Sequence, residues 1–341
     1  MLKVAINGFG RIGRSSFKIA LEKFSDQIEV VGINDLTDSK TLAHLLKYDS
    51  NYGVWDHNVS SDETNLIVDG KKYEVLAQKD PTALPWKDLS VDVVIECTGR
   101  FTDKEGMMAH IKAGAKKVVL SAPATHPSSG GKGGDVPTLV LGVNADKYGG
   151  EEIINNASCT TNCIAPVAEI INQKFGIAKA MITTIHAYTA DQNLQDGPHK
   201  DLRRARAAAT NIVPTSTGAA KATTETIPAL KGLFDGVAIR VPVAVGSVSD
   251  FTFLLKKKVT VEEINKALEE ASKSERLKGI LAVTNEPIVS SDIVGRSESA
   301  IVDLGLTQVV DGDMVKVFAW YDNEYGYSNR LVEQVINVGR I

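Results

Sequence analysis

The chain has 341 residues, beyond the size at which one hydrophobic core usually keeps growing, so two domains are expected. It is 43% hydrophobic and 23% charged with a net charge of −4, a balance that gives no reason to expect a nucleic-acid or membrane partner. No apolar run approaches the ~20 residues that span a bilayer. Its three cysteines cannot all be paired and fit no zinc spacing. Met1 runs straight into a strand-like segment with no room for a signal peptide, so the expectation is a reducing, cytoplasmic location and no metal site.

In chain order, Val4-Ala5-Ile6 reads as a strand, Arg11 to Lys23 as a helix and Glu29 to Ile33 as a second strand. Tyr52 to Leu76 is polar and rich in turn residues, which suggests a hairpin insertion. Further strands are expected over Val91 to Ile95, Lys117 to Leu120 and Thr138 to Val143, an alternation that predicts a parallel sheet covered by helices. Thr125 to Asp135 has the Gly- and Ser-rich composition of a flexible surface loop.

The second half changes character. Glu152 to Asn156 is strand-like, Ile164 to Lys174 helix-like and closed by Gly176, and Lys179 to Ala187 a strand. A long stretch with little period follows, Tyr188 to Pro214, holding the basic cluster Arg203-Arg204-Ala205-Arg206. Val237 to Lys256, Ile301 to Val309 and Met314 to Trp320 are β-rich, with Thr260-Val261-Glu262-Glu263 a capping box opening a helix between them. These elements predict an α+β domain with an antiparallel sheet. Ser328 to Val338 has a helical apolar period and should dock on a neighbouring element.

Two motifs carry chemistry. Gly8-Phe9-Gly10-Arg11-Ile12-Gly13 matches G-x-G-x-x-G between a strand and a helix, where glycines allow a tight turn and the approach of a pyrophosphate to the helix N-terminus. Asp35 ends the next strand, placed to bind ribose hydroxyls. The second motif is Ser158-Cys159-Thr160-Thr161-Asn162-Cys163. Its context puts Cys159 at a helix N-terminus, where unpaired N–H groups and the helix dipole favour a thiolate, so its pKa should fall. The alternative is an inert structural thiol, which is the expectation for Cys97 and Cys163. His186, ending a strand, is the best base candidate, although a lone histidine is as readily structural. His44, His57, His110, His126 and His199 look like surface or capping residues. Arg240 stands in an apolar strand and needs an anion, either a protein carboxylate or a phosphate. Thr215-Ser216-Thr217-Gly218 suits a phosphate cradle or a simple turn.

Together with His186-Ala187-Tyr188-Thr189, Arg240-Val241-Pro242-Val243 and Trp320-Tyr321-Asp322-Asn323-Glu324, these motifs resemble, in order and end to end, the phosphorylating glyceraldehyde-3-phosphate dehydrogenase family of the glycolytic, bacterial type. The resemblance implies a Rossmann-like parallel-sheet NAD domain over residues 1–158, completed by a C-terminal helix at 323–341, and an α+β catalytic domain over 159–322. It implies that Cys159 forms a thiohemiacetal and then a thioester with D-glyceraldehyde 3-phosphate, that His186 moves the protons, and that inorganic phosphate releases 1,3-bisphosphoglycerate. By motif, Thr189 and Arg240 would hold the substrate phosphate. Ser158, Thr160, Arg204, Thr217 and Gly218 would hold the attacking phosphate. Gly8, Gly10, Arg11, Ile12, Asp35, Lys79, Thr98, Ser121 and Asn323 would bind NAD. The Tyr188 to Arg206 stretch resembles the family's S-shaped loop, which contacts a neighbouring subunit, and a homotetramer is implied. The Thr125 to Asp135 loop departs from the pattern and is expected to be a surface insertion with no catalytic role. The related erythrose-4-phosphate dehydrogenase, and a binding or moonlighting protein of the same fold, are the alternatives.

Overall fold

A computed structural model describes residues 1–340, which divide into two compact units. The first holds Met1–Leu139, Lys147–Ala157 and the chain from Ser328 on; the second holds Val140–Asp146 and Ser158–Tyr327.

The first unit begins with β1 (Leu2–Asn7), α1 (Arg11–Lys23), β2 (Ile28–Asn34) and α2 (Ser39–Lys47). Then come β3 (Tyr48–Asp49), β4 (Gly53–Val54), β5 (Val59–Ser61), β6 (Asn65–Val68) and β7 (Lys71–Leu76). It closes with β8 (Val93–Glu96), α3 (Lys104–Lys112), β9 (Lys117–Leu120) and β10 (Ile153–Asn155). Its sheet runs β10-β9-β8-β1-β2-β7-β6-β5 and is parallel from β10 to β7. The chain leaves β1 toward β2 on one side and later adds β8 on the other. That reversal opens a crevice at the carboxyl ends of the strands, where Asn7 aligns with both Asn34 and Glu96.

Local chemistry starts and stops the helices. Asp38 and Asp103 cap α2 and α3, their carboxylates accepting from the Thr41 and Gly106 N–H groups at 2.9 and 2.8 Å. Phe17 of α1 anchors the core edge-on to Phe9, Trp55 and Tyr73, with centroids 5.5, 6.3 and 4.9 Å away.

Two expectations need correction here. The 52–76 segment is not a separate insertion: β7 pairs parallel with β2, so the β5-β6-β7 meander extends the main sheet. Residues 138–143 form no strand, only an isolated bridge at Thr138, because a turn closes at once with Gly142 at φ 77°. The 125–135 loop lies largely at the surface, as expected, and makes several polar contacts. Thr125 bonds to Thr102, Lys132 N–H reaches the Asp103 carboxylate at 3.1 Å, and His126 pairs with Asp135 at 2.9 Å.

The second unit carries α4 (Cys159–Phe175), β11 (Ile177–Ala187), β12 (Val213–Ser216), α5 (Ala219–Thr226), β13 (Phe234–Val241) and β14 (Ser247–Leu255). It continues with α6 (Val261–Ser272), β15 (Leu281–Thr284), β16 (Ala300–Asp303), β17 (Gln308–Val310) and β18 (Met314–Tyr321). The sheet order is β12-β13-β11-β14-β18-β16-β15, with β17 on β18. It is mixed, not antiparallel as expected: β11 pairs parallel with β13 and β15 with β16. Buried α4 packs beside α5 and α6 against the sheet and ends at Gly176, whose φ of 72° a side chain would disfavour. The Thr260 capping box on α6 forms in both directions. Helix α7 (Tyr325–Gly339) buries Leu331, Val332 and Val335 and lies, from Ser328 on, in the first unit, where Lys117 Nζ donates to the Val338 carbonyl at 2.6 Å.

Candidate active site

Helix α4 begins at Cys159 because Ser158 caps it, its hydroxyl accepting from the Thr161 N–H at 3.0 Å. Two residues before Cys159, Ala157 adopts φ 55°, an uncommon left-handed conformation for a residue with a Cβ. His186 comes from the end of β11, and its Nε2 lies 3.4 Å from Cys159 Sγ. The parallel register sets His186 beside Arg240 of β13. His186 Nδ1 is 2.7 Å from the Ala187 carbonyl oxygen and 2.8 Å from Arg240 Nη1. The Tyr321 ring stands edge-on to the imidazole at 5.9 Å.

Burial moves both partners toward neutrality. It pushes the Cys159 thiol above its ordinary value, against the pull of the Arg240 charge and the Thr160 hydrogen bonds. Burial, reinforced by Arg240, brings His186 down to about 3, against the Ala187 carbonyl. The expected fall in the thiol pKa is therefore corrected: the resting pair is a thiol beside a neutral imidazole, able to act by passing a proton from sulfur to nitrogen. The cation nearest the pair is Arg240, itself held below its usual pKa first by burial. Of the other two cysteines, Cys163 is buried and Cys97 is partly exposed at the crevice; burial raises Cys97 to about 12 and Cys163 further.

Of the residues expected to hold phosphates, Arg240 touches this pair and Arg204 acts on His186 through its charge. Arg240 Nη1 also donates to the Ala187 carbonyl at 2.9 Å, while its Nε is buried without a partner among the described residues. Thr189 is half-buried just past the end of β11. Arg204 donates from Nε to Thr215 at 2.9 Å and from Nη2 to the Ser216 carbonyl at 3.1 Å, and pairs with Asp191. Thr217 Oγ1 accepts from the Ala219 N–H at 3.1 Å at the start of α5, beside Gly218, whose Cα faces open space. Thr160 is different: its hydroxyl turns inward, 2.9 Å from the Tyr321 hydroxyl. Arg204 must exchange Asp191 for any phosphate it binds.

The crevice of the first unit, about 610 Å³, is lined by Gly8, Gly10, Asp35, Lys79 and Thr98. A Cβ on Gly8, at φ 93°, would lie 2.7 Å from the Thr98 nitrogen, and one on Gly13 would meet the Gly8 carbonyl at 2.1 Å. Gly10, at the helix N-cap, faces nothing within 4 Å, which leaves room for a pyrophosphate against the N–H groups of Arg11 and Ile12. Asp35 is fixed as an acceptor by the Phe9 and Thr37 N–H groups at 2.8 and 2.9 Å. The Arg11 guanidinium does not point at this space; it binds Asp49 with two bonds at 3.0 and 3.1 Å. Ser121 N–H donates to the Glu96 carbonyl at 2.9 Å, and its side chain to Cys97. In the second unit, Asn323 Oδ1 accepts from Gly246 N–H and Ser247 Oγ, each at 3.1 Å, which leaves its Nδ2 as a donor. The features of the first-unit crevice fit a dinucleotide.

Sequence reasoning missed the floor of the crevice. The fully buried Glu96 carboxylate accepts from Asn7 at 2.5 Å, from His110 Nε2 at 3.0 Å and from Thr98 N–H at 2.7 Å; Trp86 donates to His110 Nδ1 at 3.0 Å. His110 is thus a core histidine, not a surface one. Its spacing of three residues from Met107, on the buried face of α3, was the available signal.

Comparison with known proteins agrees with this geometry. Residues 2–104 match the model of the glyceraldehyde 3-phosphate dehydrogenase NAD binding domain, and 158–323 that of the C-terminal domain of the same enzyme. The chain is similar to glyceraldehyde-3-phosphate dehydrogenases of Mycobacterium avium (55% identical, covering 99% of both chains) and Streptomyces coelicolor (52%, 99% of this chain and 98% of the relative). It is also similar to that of Geobacillus stearothermophilus (54%, 97% and 96%). With a capped cysteine beside a neutral histidine, a dinucleotide crevice and relatives aligned over nearly its whole length, the chain belongs to the NAD-dependent glyceraldehyde-3-phosphate dehydrogenase family.

Proposed function

We propose that the protein oxidises D-glyceraldehyde 3-phosphate to 1,3-bisphosphoglycerate with NAD and inorganic phosphate, as a cytoplasmic homotetramer. The observation that carries the chemistry is the 3.4 Å approach of Cys159 Sγ to His186 Nε2 at the start of α4. Nε2 takes the thiol proton as sulfur adds to the aldehyde carbon, and the α4 N–H groups face the charge that develops. Nε2 gives that proton to the alkoxide, which completes the thiohemiacetal hydroxyl, and takes it back as the hydride leaves. Bound NAD supplies the hydride acceptor. Phosphate attacks the resulting Cys159 thioester, and the thiolate leaves.

Arg240, with its unpartnered buried Nε, and Thr189 hold the phosphate of the aldehyde. Ser158, Thr217, Gly218, Arg204 and the Thr160 N–H hold the attacking phosphate. Gly8, Gly10, Arg11 and Ile12 backbone, Asp35, Lys79, Thr98 and Ser121 form the cofactor site on the first unit, and Asn323 Nδ2 binds the carboxamide. The first unit is the NAD-binding domain and the second the catalytic domain. Tetramer formation is supported by apolar side chains left in water: Leu194 and Leu202 in the irregular 188–212 segment, and Met181, Val237, Leu254 and Met314 on one face of the second sheet.

The decisive assay follows NAD reduction with glyceraldehyde 3-phosphate, with and without phosphate or arsenate, and with erythrose 4-phosphate in parallel. Sustained turnover that needs the oxyanion and prefers the triose is expected. Turnover independent of phosphate, or faster with the tetrose, rejects the proposal.

A further inference from the structure

The polar floor of the first-unit crevice has one polarity, fixed by three donors that cannot be reversed: Trp86 Nε1–H, Gln78 N–H and Thr98 N–H. An indole or backbone N–H only donates. Trp86 Nε1 donates to His110 Nδ1 at 3.0 Å, so Nδ1 keeps its lone pair and the ring proton stands on Nε2, 3.0 Å from Glu96 Oε2. Gln78 N–H donates to Asn34 Oδ1 at 2.9 Å. That turns Asn34 Nδ2 toward Asn7 Oδ1 at 2.6 Å, and Asn7 Nδ2 toward the same Glu96 oxygen at 2.5 Å. Nε2 and Asn7 Nδ2, 3.3 Å apart, are two donors sharing that oxygen. On the other side, Thr98 N–H donates to Glu96 Oε1 at 2.7 Å. The Thr98 hydroxyl accepts from Arg100 N–H at 3.1 Å and gives its own proton to Oε1. Four donors thus meet the two oxygens of a fully buried side chain, and only an ionised carboxylate accepts at both.

Asn7, Asn34, Gln78 and Thr98 line the crevice, while Glu96, His110 and Trp86 stand behind them. The carboxylate therefore ties together the ends of β1 and β2 and the segments that follow β7 and β8. We propose that Glu96 is a positioning residue of the cofactor site: oriented by His110, its charge sets the spacing of the crevice walls through Asn7 and Thr98, a role that rests on reading this crevice as the NAD site. A glutamine in its place has the right shape and the wrong polarity. Its amide nitrogen meets the Thr98 donors on one side or the Asn7 and His110 donors on the other, so the walls must part. His110→Phe is milder: the charge and its other donors remain, while Trp86 loses its acceptor.

Calorimetry with NAD on the full-length protein tests the role, alongside steady-state kinetics and urea unfolding. Kd for NAD is expected to rise about tenfold or more in Glu96→Gln and roughly three- to tenfold in His110→Phe, in step with KM for NAD and with kcat near native. Met107→Ala controls for general loosening, because it empties a buried site three residues away on the same face of α3 and removes no side-chain hydrogen bond. It should lower the urea midpoint and leave Kd within about twofold of native. Equal Kd in native protein, Glu96→Gln and His110→Phe overturns the positioning role. So does a rise in Met107→Ala that matches His110→Phe, or a fall in kcat with KM unchanged. Should Glu96→Gln not fold, the comparison of His110→Phe with Met107→Ala decides. Native protein that takes up no NAD sinks the underlying reading of the crevice; native binding with unaltered variants sinks the positioning role alone.

Discussion

Cys159 and Cys163 lie four residues apart on one helix, and their surroundings make them different reagents. Cys163 is fully buried, with its sulfur 3.7 Å from the Ala319 carbonyl, while Cys159 keeps part of its surface and has His186 within reach. A thiol alkylator should therefore label Cys159 before Cys163 or Cys97, as peptide mapping would read, and Cys159→Ser should abolish NAD reduction with NAD affinity nearly unchanged. Labelling of Cys163 first would sink the assignment. His186→Ala removes the proton acceptor, and kcat should fall roughly 10²–10⁴-fold, the usual range for general acid–base catalysis. The two arginines should separate kinetically. Arg240→Ala should raise KM mainly for the phosphorylated aldehyde and Arg204→Ala mainly for inorganic phosphate, each by roughly 10- to 100-fold for a lost charge-assisted bond. Equal effects of both on both substrates would merge the two sites.

At the scale of elements, the β1–α1–β2 unit does two jobs. It presents Asp35 in the crevice and anchors the start of α1 through Arg11 and Asp49. Asp35, held by two N–H groups, should repel the 2′-phosphate of NADP while accepting from ribose hydroxyls. Asp35→Gly should lower kcat/KM for NAD and relax the discrimination against NADP, helped by Lys79 in the same crevice. Comparable use of both cofactors by the unmodified protein would refute this. The Arg11–Asp49 pair predicts a pH effect. Burial acts to raise the Asp49 pKa, but Arg11 and the Asn51 and Tyr52 N–H groups win and hold it below the ordinary 3.8. A depressed carboxylate stabilises the fold above its unfolded pKa and loses that contribution as pH falls through the folded one. Asp49→Asn should thus cost about 1–2 kcal/mol near pH 7, less than a fully buried pair because Arg11 is a third exposed, and the difference should shrink as pH drops below about 4. Urea midpoints that stay equally far apart across that range would contradict it.

For the whole molecule, the apolar residues left in water set the expectation. Leu202 is 80% exposed and Leu194 77%, values that a free-standing surface tolerates singly but seldom in clusters beside an apolar sheet face. Light scattering should return four times the 36.6 kDa of one chain, and Leu202→Asp or Met181→Lys should yield smaller species. A monomeric native protein would remove the tetramer. No described helix is long and apolar enough to cross a membrane.

The sequence by itself determined what depends on neighbours along the chain. The glycine turn before α1, the Ser158 cap that puts Cys159 first in α4 and the Thr260 capping box are local bonds between residues two to four apart, and motif and period expose them. The alternation of strands and helices likewise announced the parallel sheet of the first unit. Tertiary structure decided whatever depends on distant partners. Register between β11 and β13, 54 residues apart at His186 and Arg240, made an arginine the neighbour of the base, and burial then set both protonation states. The same holds for His110, which 14 residues of separation from Glu96 turned into a core residue, and for Thr160, whose hydroxyl Tyr321 claims from 161 residues away. Desolvation and cross-strand pairing are properties of the packed fold, and no run of adjacent letters encodes them.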